Sequence, residues 1–325
     1  MIERASAFWI VEPGRCELRS ETLPSPAAGE VLVRALFSAV SRGTESLVFN
    51  GRVPVSEYSR MRCPYQVGDF PGPVKYGYSN VGRVESGGQE LLGRAVFCLY
   101  PHQSAYVVSA QAVLPLPEGM PPERAVLAAN METAINAVWD AAPRLGDRVT
   151  VIGAGVVGCL CAYLLARHPG VAVELVDLRA ERADIARAFG VSFALPQAAQ
   201  RERDLVVHAS GSEAGLRTSL SLAGSGASVL ELSWFGATEV SLPLGAAFHA
   251  RRLSLQASQV GTLSPRARAR FDHRTRLALA LELCNDPLLD RLFDEEIRFD
   301  SLPEAMPQLT LPQSGSLCQR LRYDP

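Results

Sequence analysis

Short runs of alternating apolar and polar residues dominate the first third of the chain. Val31-Leu32-Val33-Arg34-Ala35-Leu36-Phe37 reads as a strand, as do the stretches around 81–84 and 95–99. Turns such as Pro71-Gly72-Pro73 and Ser86-Gly87-Gly88 separate them. Many short strands at this spacing predict an antiparallel, barrel-like domain. The period then changes. Pro121-Pro122-Glu123 opens a helix through Ala129, and 132–141 forms a second. From Arg148 the order becomes strand, glycine turn, helix, strand. The strands fall at 149–152, 172–176, 205–208 and 228–232, with helices near 156–167, 180–189 and 213–223. This alternation predicts an α/β protein with a parallel, doubly wound sheet. Beyond about residue 250 the character is mixed, ending strand-like over 317–323.

The chain has 325 residues, enough for two domains with separate cores. The expected boundaries are 1–118 with a return over 250–325 for the β-rich domain, and 119–249 for the doubly wound one. A net charge of −2 supplies no basic field for nucleic acid. No apolar run reaches the roughly 18 residues of a membrane helix, and no signal-peptide pattern opens the chain. The expectation is a cytoplasmic protein acting on a small molecule, with neither membrane nor nucleic acid as partner. The seven cysteines are scattered without a Cys-x-x-Cys pair and are expected to be reduced packing residues. Lys75 is the single lysine.

Gly153-Ala154-Gly155-Val156-Val157-Gly158 follows the apolar strand Val149–Ile152 and opens a helix, the context a dinucleotide-binding turn requires. Gly153 permits the tight turn, Gly155 lets backbone approach a pyrophosphate, and Gly158 lets helix and strand pack closely. Free N–H groups at the helix start, from Val156 and Val157 onward, meet the phosphate charge. The next strand ends at Asp177, 19 residues after Gly158. A carboxylate there accepts hydrogen bonds from the adenosine ribose and repels a 2′-phosphate, favouring NAD. Arg179 and Arg182 just beyond keep NADP as the alternative.

The chain resembles the medium-chain dehydrogenase/reductase superfamily over nearly its whole length. The resemblance rests on Gly29-Glu30-Val31-Leu32-Val33, Gly82-Arg83-Val84, Gly93-Arg94-Ala95-Val96, Thr133-Ala134, Leu145-Gly146-Asp147-Arg148-Val149 and Ala209-Ser210-Gly211-Ser212. It implies a GroES-like catalytic domain beside the Rossmann domain. It also implies cofactor contacts from Thr133, Ser210, Gly211, Ser233 and Trp234. Zinc-dependent members hold a catalytic metal with Cys, His and a third Cys or Glu. Here those positions correspond to Ser41, Tyr78 and Ala129, none of which is a zinc donor. The four-cysteine structural-zinc lobe is absent as well, with only Cys98 between Gly93 and Val108. A zinc-free member is expected. Val40-Ser41-Arg42-Gly43-Thr44-Glu45 is similar to a segment of zinc-free branches, among them the bacteriochlorophyllide dehydrogenase that oxidises a hydroxyethyl group on a tetrapyrrole.

Without zinc, the hydroxyl proton needs another partner. Tyr78 is the candidate acid/base, with Lys75 nearby to lower its pKa. On a strand, residues 75 and 78 point to opposite faces, so their contact needs a bend. Ser41, Glu45 and His102 are the further polar candidates. A packed tyrosine with a satisfied hydroxyl is the alternative for Tyr78, and a structural hydrogen bond is the alternative for Glu45. His168 and His273 read as surface residues, His208 as a satisfied core histidine. Five arginines within 266–276 read either as an anion clamp or as a solvated helix face. The leading expectation is a zinc-free, NAD-linked alcohol/ketone oxidoreductase. A quinone or enoyl reductase using NADPH and a non-catalytic NAD(H)-binding redox sensor are the alternatives. The resemblance further implies a homodimer joined edge to edge near 250–262.

Overall fold

In the computed structural model, which describes residues 3–324, the long hairpin β1 (Glu3–Glu12) and β2 (Arg15–Leu23) opens the chain. Strand β3 (Glu30–Val40) follows and turns into helix α1 (Arg42–Phe49). Then come β4 (Val67–Gly68), β5 (Val74–Lys75), β6 (Asn80–Ser86), β7 (Ala95–Cys98), β8 (Ala105–Ser109) and β9 (Leu114–Pro115). Helices α2 (Pro122–Ala125) and α3 (Ala128–Ala141) lead away from them.

The second region carries β10 (Arg148–Ile152), α4 (Val156–Leu165), β11 (Ala172–Val176), α5 (Ala183–Phe189) and β12 (Ser192–Ala194). It continues with β13 (Arg203–His208), α6 (Glu213–Leu222), β14 (Ala223–Glu231), β15 (Ser254–Ala257) and α7 (His273–Cys284). Strands β16 (Ile297–Arg298) and β17 (Gln319–Arg322) flank helix α8 (Leu302–Leu309) at the end.

Two units result, Met1–Ala129 with Leu281–Pro325 and Asn130–Ala280. The boundaries lie later than the sequence suggests at both ends. α3 runs unbroken from 128 to 141, and β15 extends the parallel sheet instead of leaving it. In the first unit, β2-β1-β5-β4 form one sheet. A second has the order β16-β17-β3-β6-β7-β9, with β8 also on β3. Alternating side chains such as Val31, Val33, Val84, Val96, Tyr106 and Val108 meet in its core.

The second unit has one six-stranded sheet, β12-β11-β10-β13-β14-β15, parallel throughout. In order of appearance this is 3-2-1-4-5-6, the doubly wound dinucleotide arrangement. Strands β10 and β11 are buried at every position but the first, as parallel strands covered on both faces must be. No helix among the described residues is long and apolar enough to cross a membrane. The arginine segment is turn rather than helix up to residue 272. Four of its arginines are exposed, while Arg276 is buried on Glu132, Asn136 and the Val260 carbonyl.

Candidate functional site

The carboxyl edge of the parallel sheet holds the glycine turn. Gly153 has φ +102°, in the region that favours glycine, and a Cβ on it would stand 2.7 Å from the Ser210 backbone nitrogen. A Cβ on Gly158 would overlap the Gly153 carbonyl oxygen, so strand and helix touch there through bare backbone. Gly155 differs. A Cβ there meets nothing within 4 Å, so its missing side chain serves no internal packing and leaves the turn open outward. Gly155 caps α4, whose first turn begins with Val156 and Val157. Beside it, Asp177 Oδ2 accepts the Ala154 N–H at 2.7 Å and Oδ1 accepts the Arg179 N–H at 2.9 Å. A carboxylate has about four acceptor positions, so capacity for a ligand hydroxyl remains. The Arg179 guanidinium lies 3.5 Å from Glu181. Ser210 and Gly211 are exposed, Ser233 and Trp234 half-buried, and all follow β13 or β14; Thr133 is half-buried on α3.

The other polar cluster lies in the first unit. Glu45, in the first turn of α1, reaches back to accept the Ser41 N–H at 2.7 Å, and a negative side chain suits that helix end. Its second oxygen stands 2.9 Å from His102 Nε2, with Glu45 2 % and His102 1 % exposed. Ser38 Oγ lies 2.8 Å from His102 Nδ1 and 2.9 Å from the Tyr323 hydroxyl. An imidazole protonated at Nε2 donates to Glu45 and accepts from Ser38, and Ser38 accepts from Tyr323; every group is then satisfied. The sequence points to His102 and Glu45 separately but not to their pairing, nor to Ser38 and Tyr323. A serine buried within the apolar run of β3 was the available signal for the former.

Tyr78 joins this cluster through its hydroxyl, which hydrogen-bonds to the side chains of Ser41 and Thr44. Burial, then the Glu45 charge, push the phenol well above its ordinary pKa, so it is a protonated donor. Lys75 does not lower it, contrary to expectation. Strand β5 stops at Lys75, whose ammonium points to Glu21 and Gln103 at 2.7 Å each, between the rings of Trp9 and Tyr100. Gly77, at φ +120°, then turns the chain against the His102 ring, where a Cβ would stand 2.9 Å from Cδ2. Tyr78 is thereby delivered to α1 while Lys75 faces elsewhere.

The resemblance matches Ser41, Tyr78 and Ala129 to zinc-ligand positions, and none of the three is a donor zinc uses. Among the described residues, no group of three or more His, Cys, Asp or Glu side chains is arranged to hold a metal ion. Ser41, Tyr78 and Ala129 do not fit a catalytic zinc.

Residues 151–182 match the family described as NAD(P)-binding Rossmann-like domain. The structure superposes on 2R,3R-butanediol dehydrogenase from Bacillus subtilis with a TM-score of 0.78, at 15 % identity, over 98 % of this chain and 100 % of that one. The two proteins share one fold. In sequence, D-guloside 3-dehydrogenase of Escherichia coli K12 is 31 % identical over 186 residues, covering 52 % of this chain and 53 % of that protein. Probable D-xylulose reductase A of Arthroderma otae is 28 % identical over 158 residues, 44 % of each. The chain thus matches about half the length of these curated relatives, or less.

Proposed function

We propose that the protein is a dehydrogenase that interconverts a secondary alcohol of a sugar-like substrate and its ketone, with NAD as cofactor and no metal in the proton transfer. The observation that carries this reading is the open turn at Gly155 beside the Asp177 carboxylate, at the carboxyl edge of a 3-2-1-4-5-6 sheet. Gly153, Gly155, Gly158 and the first N–H groups of α4, from Val156 and Val157, would hold the pyrophosphate, and Asp177 the adenosine ribose. Thr133, Ser210, Gly211 and Ser233 would serve the other half. The names of the two curated relatives support a sugar- or polyol-derived substrate over a tetrapyrrole.

The nicotinamide, when bound, supplies or accepts the hydride. The hydroxyl proton falls to this chain. In the direction of ketone reduction, protonated Tyr78 donates its proton to the carbonyl oxygen as that oxygen gains charge. Ser41 or Thr44, both half-buried, relays a proton to the phenolate and takes its replacement from solvent water, and in alcohol oxidation the same chain runs in reverse, releasing the proton to water. Glu45 and His102 position Ser41 and Tyr78 rather than touching substrate, and Lys75 supports the sheet. The four exposed, uncharged residues of β15, at the edge of the sheet, support a homodimer joined there.

Oxidation of NADH by a panel of ketoses, quinones and enones tests the reading. Ketoses are expected to react, and Tyr78→Phe to lower kcat by about a hundredfold or more while NADH binding persists. Turnover of quinones or enones alone, complete inertness, or activity that tracks a stoichiometric zinc content overturns it.

A further inference from the structure

Strands β13 and β14 end at His208 and Glu231, which their parallel register sets side by side. His208 is fully buried, with Nδ1 2.6 Å from Glu231 Oε2 and Nε2 2.6 Å from Ser210 Oγ. Glu231 Oε1 accepts the Ser233 N–H at 2.6 Å, and Ser233 Oγ accepts the Gly211 N–H at 3.0 Å. The two loops that leave the sheet side by side, 209–212 and 232–235, are therefore closed into one ring of hydrogen bonds. Ser212 extends it, lying 2.9 Å from Ser210 and accepting the Gly215 N–H at the start of α6. Phe235 stacks over the imidazole, with centroids 6.2 Å apart. Gly215 makes the room, since a Cβ there would overlap Ser210 Oγ and stand 2.7 Å from His208 Nε2. The ring also abuts the glycine turn, because the Ser210 backbone lies against Gly153.

A histidine–carboxylate pair inside a sheet is a poor way to gain stability. Desolvation cancels much of the attraction, and apolar replacements of such pairs are often as stable. Position accounts for it better. A dinucleotide across a doubly wound sheet lays its adenosine half over the first three strands and its second half over the last three. Asp177 closes the first half. His208, Glu231 and their ring sit at the carboxyl ends of the first two strands of the second.

The geometry points to His208 and Glu231 as positioning residues for the nicotinamide half of the cofactor: they fix the spacing of the Ser210–Gly211 and Ser233 loops that receive it. This rests on the dinucleotide reading given above. Neither residue is assigned contact with the reacting atoms. Their action passes through Ser210 and Ser233, so removing the Glu231 charge should loosen one half of the cofactor and leave the other.

NADH and ADP are the two probes, since ADP carries the adenosine and pyrophosphate but no nicotinamide riboside. In Glu231→Gln the Kd of NADH should rise about tenfold or more while that of ADP stays unchanged. Gly215→Ala keeps both side chains and crowds the ring from outside, and it should show the same split. Equal weakening of both probes, or of neither, in folded variants overturns the positioning role while the dinucleotide reading stands. A wild-type chain that binds neither probe overturns the dinucleotide reading itself, and the positioning role with it.

Discussion

His102 Nε2 stands 2.9 Å from the carboxylate of Glu45, with both side chains sealed from solvent. The two residues arrive from helix α1 and from the loop before β8, and their meeting organises the polar cluster of the first unit. It holds the α1 start in place through Ser41, and it leaves a negative charge near Tyr78.

Glu45→Gln keeps the shape and removes that charge. Among the neighbouring groups, the Glu45 carboxylate is the first cause, after burial, of the raised Tyr78 pKa. A carboxylate disfavours phenolate, so its loss lets Tyr78 ionise at lower pH. The alkaline limb of ketone reduction, which requires the protonated phenol, should move to lower pH. Profiles of kcat against pH for wild type and variant check this; an unmoved limb would show that Tyr78 is not the donor.

Lys75→Met separates structure from chemistry. Lys75 is 3 % exposed and serves Glu21 and Gln103. Removing it strands their acceptors at a cost of about 1–3 kcal/mol. The melting temperature should drop by roughly 2–4 °C per kcal/mol, as for domains of this size. Turnover at low temperature should be retained. A variant that melts normally but has lost kcat would restore Lys75 to the chemistry.

Two of the three turn glycines should fail differently. Gly158→Ala drives a methyl into the Gly153 carbonyl, and because the obstacle is backbone the cost lies at or above the roughly 1–3 kcal/mol of ordinary overpacking. Gly155→Ala meets no protein atom, so the chain should fold and melt normally yet bind NADH poorly. Thermal melts paired with NADH titration distinguish the two. Tight binding by folded Gly155→Ala would contradict a pyrophosphate seat at the turn.

Alkaline pH should be unusually damaging. Burial pushes the phenols of Tyr76, Tyr78, Tyr100, Tyr106 and Tyr323 up. It also raises the thiols of Cys63, Cys98, Cys159 and Cys161 to about 12. An unfolded chain releases thiol protons near pH 8.5 and phenol protons near pH 10, while the folded chain retains them. From about pH 9 the unfolded state therefore binds fewer protons, and stability falls as pH rises. Melting temperatures measured from about pH 8 to about pH 10 should decline, most steeply at the top of the range.

The parallel strands were legible because burial on both faces makes them mostly apolar, with Thr150 and Glu174 the interruptions inside β10 and β11, and β10, β11, β13 and β14 lie where the pattern placed them, within a few residues. Strand β12, at three residues, is too short to leave a period. The pairings at the candidate sites are another matter. Glu45 and His102 lie 57 residues apart, and no local spacing reports such a contact. Lys75 and Tyr78 are close in sequence, and strand periodicity already sets them on opposite faces; the end of β5 and the turn at Gly77, which periodicity does not register, do not bring them together. His208 and Glu231 each close a strand that the pattern had located, so aligning the strand ends would have exposed that pair.

Strand β17 lies between β16 and β3, and Tyr323 just beyond it reaches Ser38. The whole of Asn130–Ala280 intervenes between β3 and that partner. On the ribosome, the parallel-sheet unit is one uninterrupted stretch and can close while the earlier-made barrel still waits with an open sheet edge. The domain begun first is thus the one finished last, against the usual N-terminal-first order. A chain stalled before residue 319 would carry an intact glycine turn, while the Glu45–His102 pair would still lack its seal.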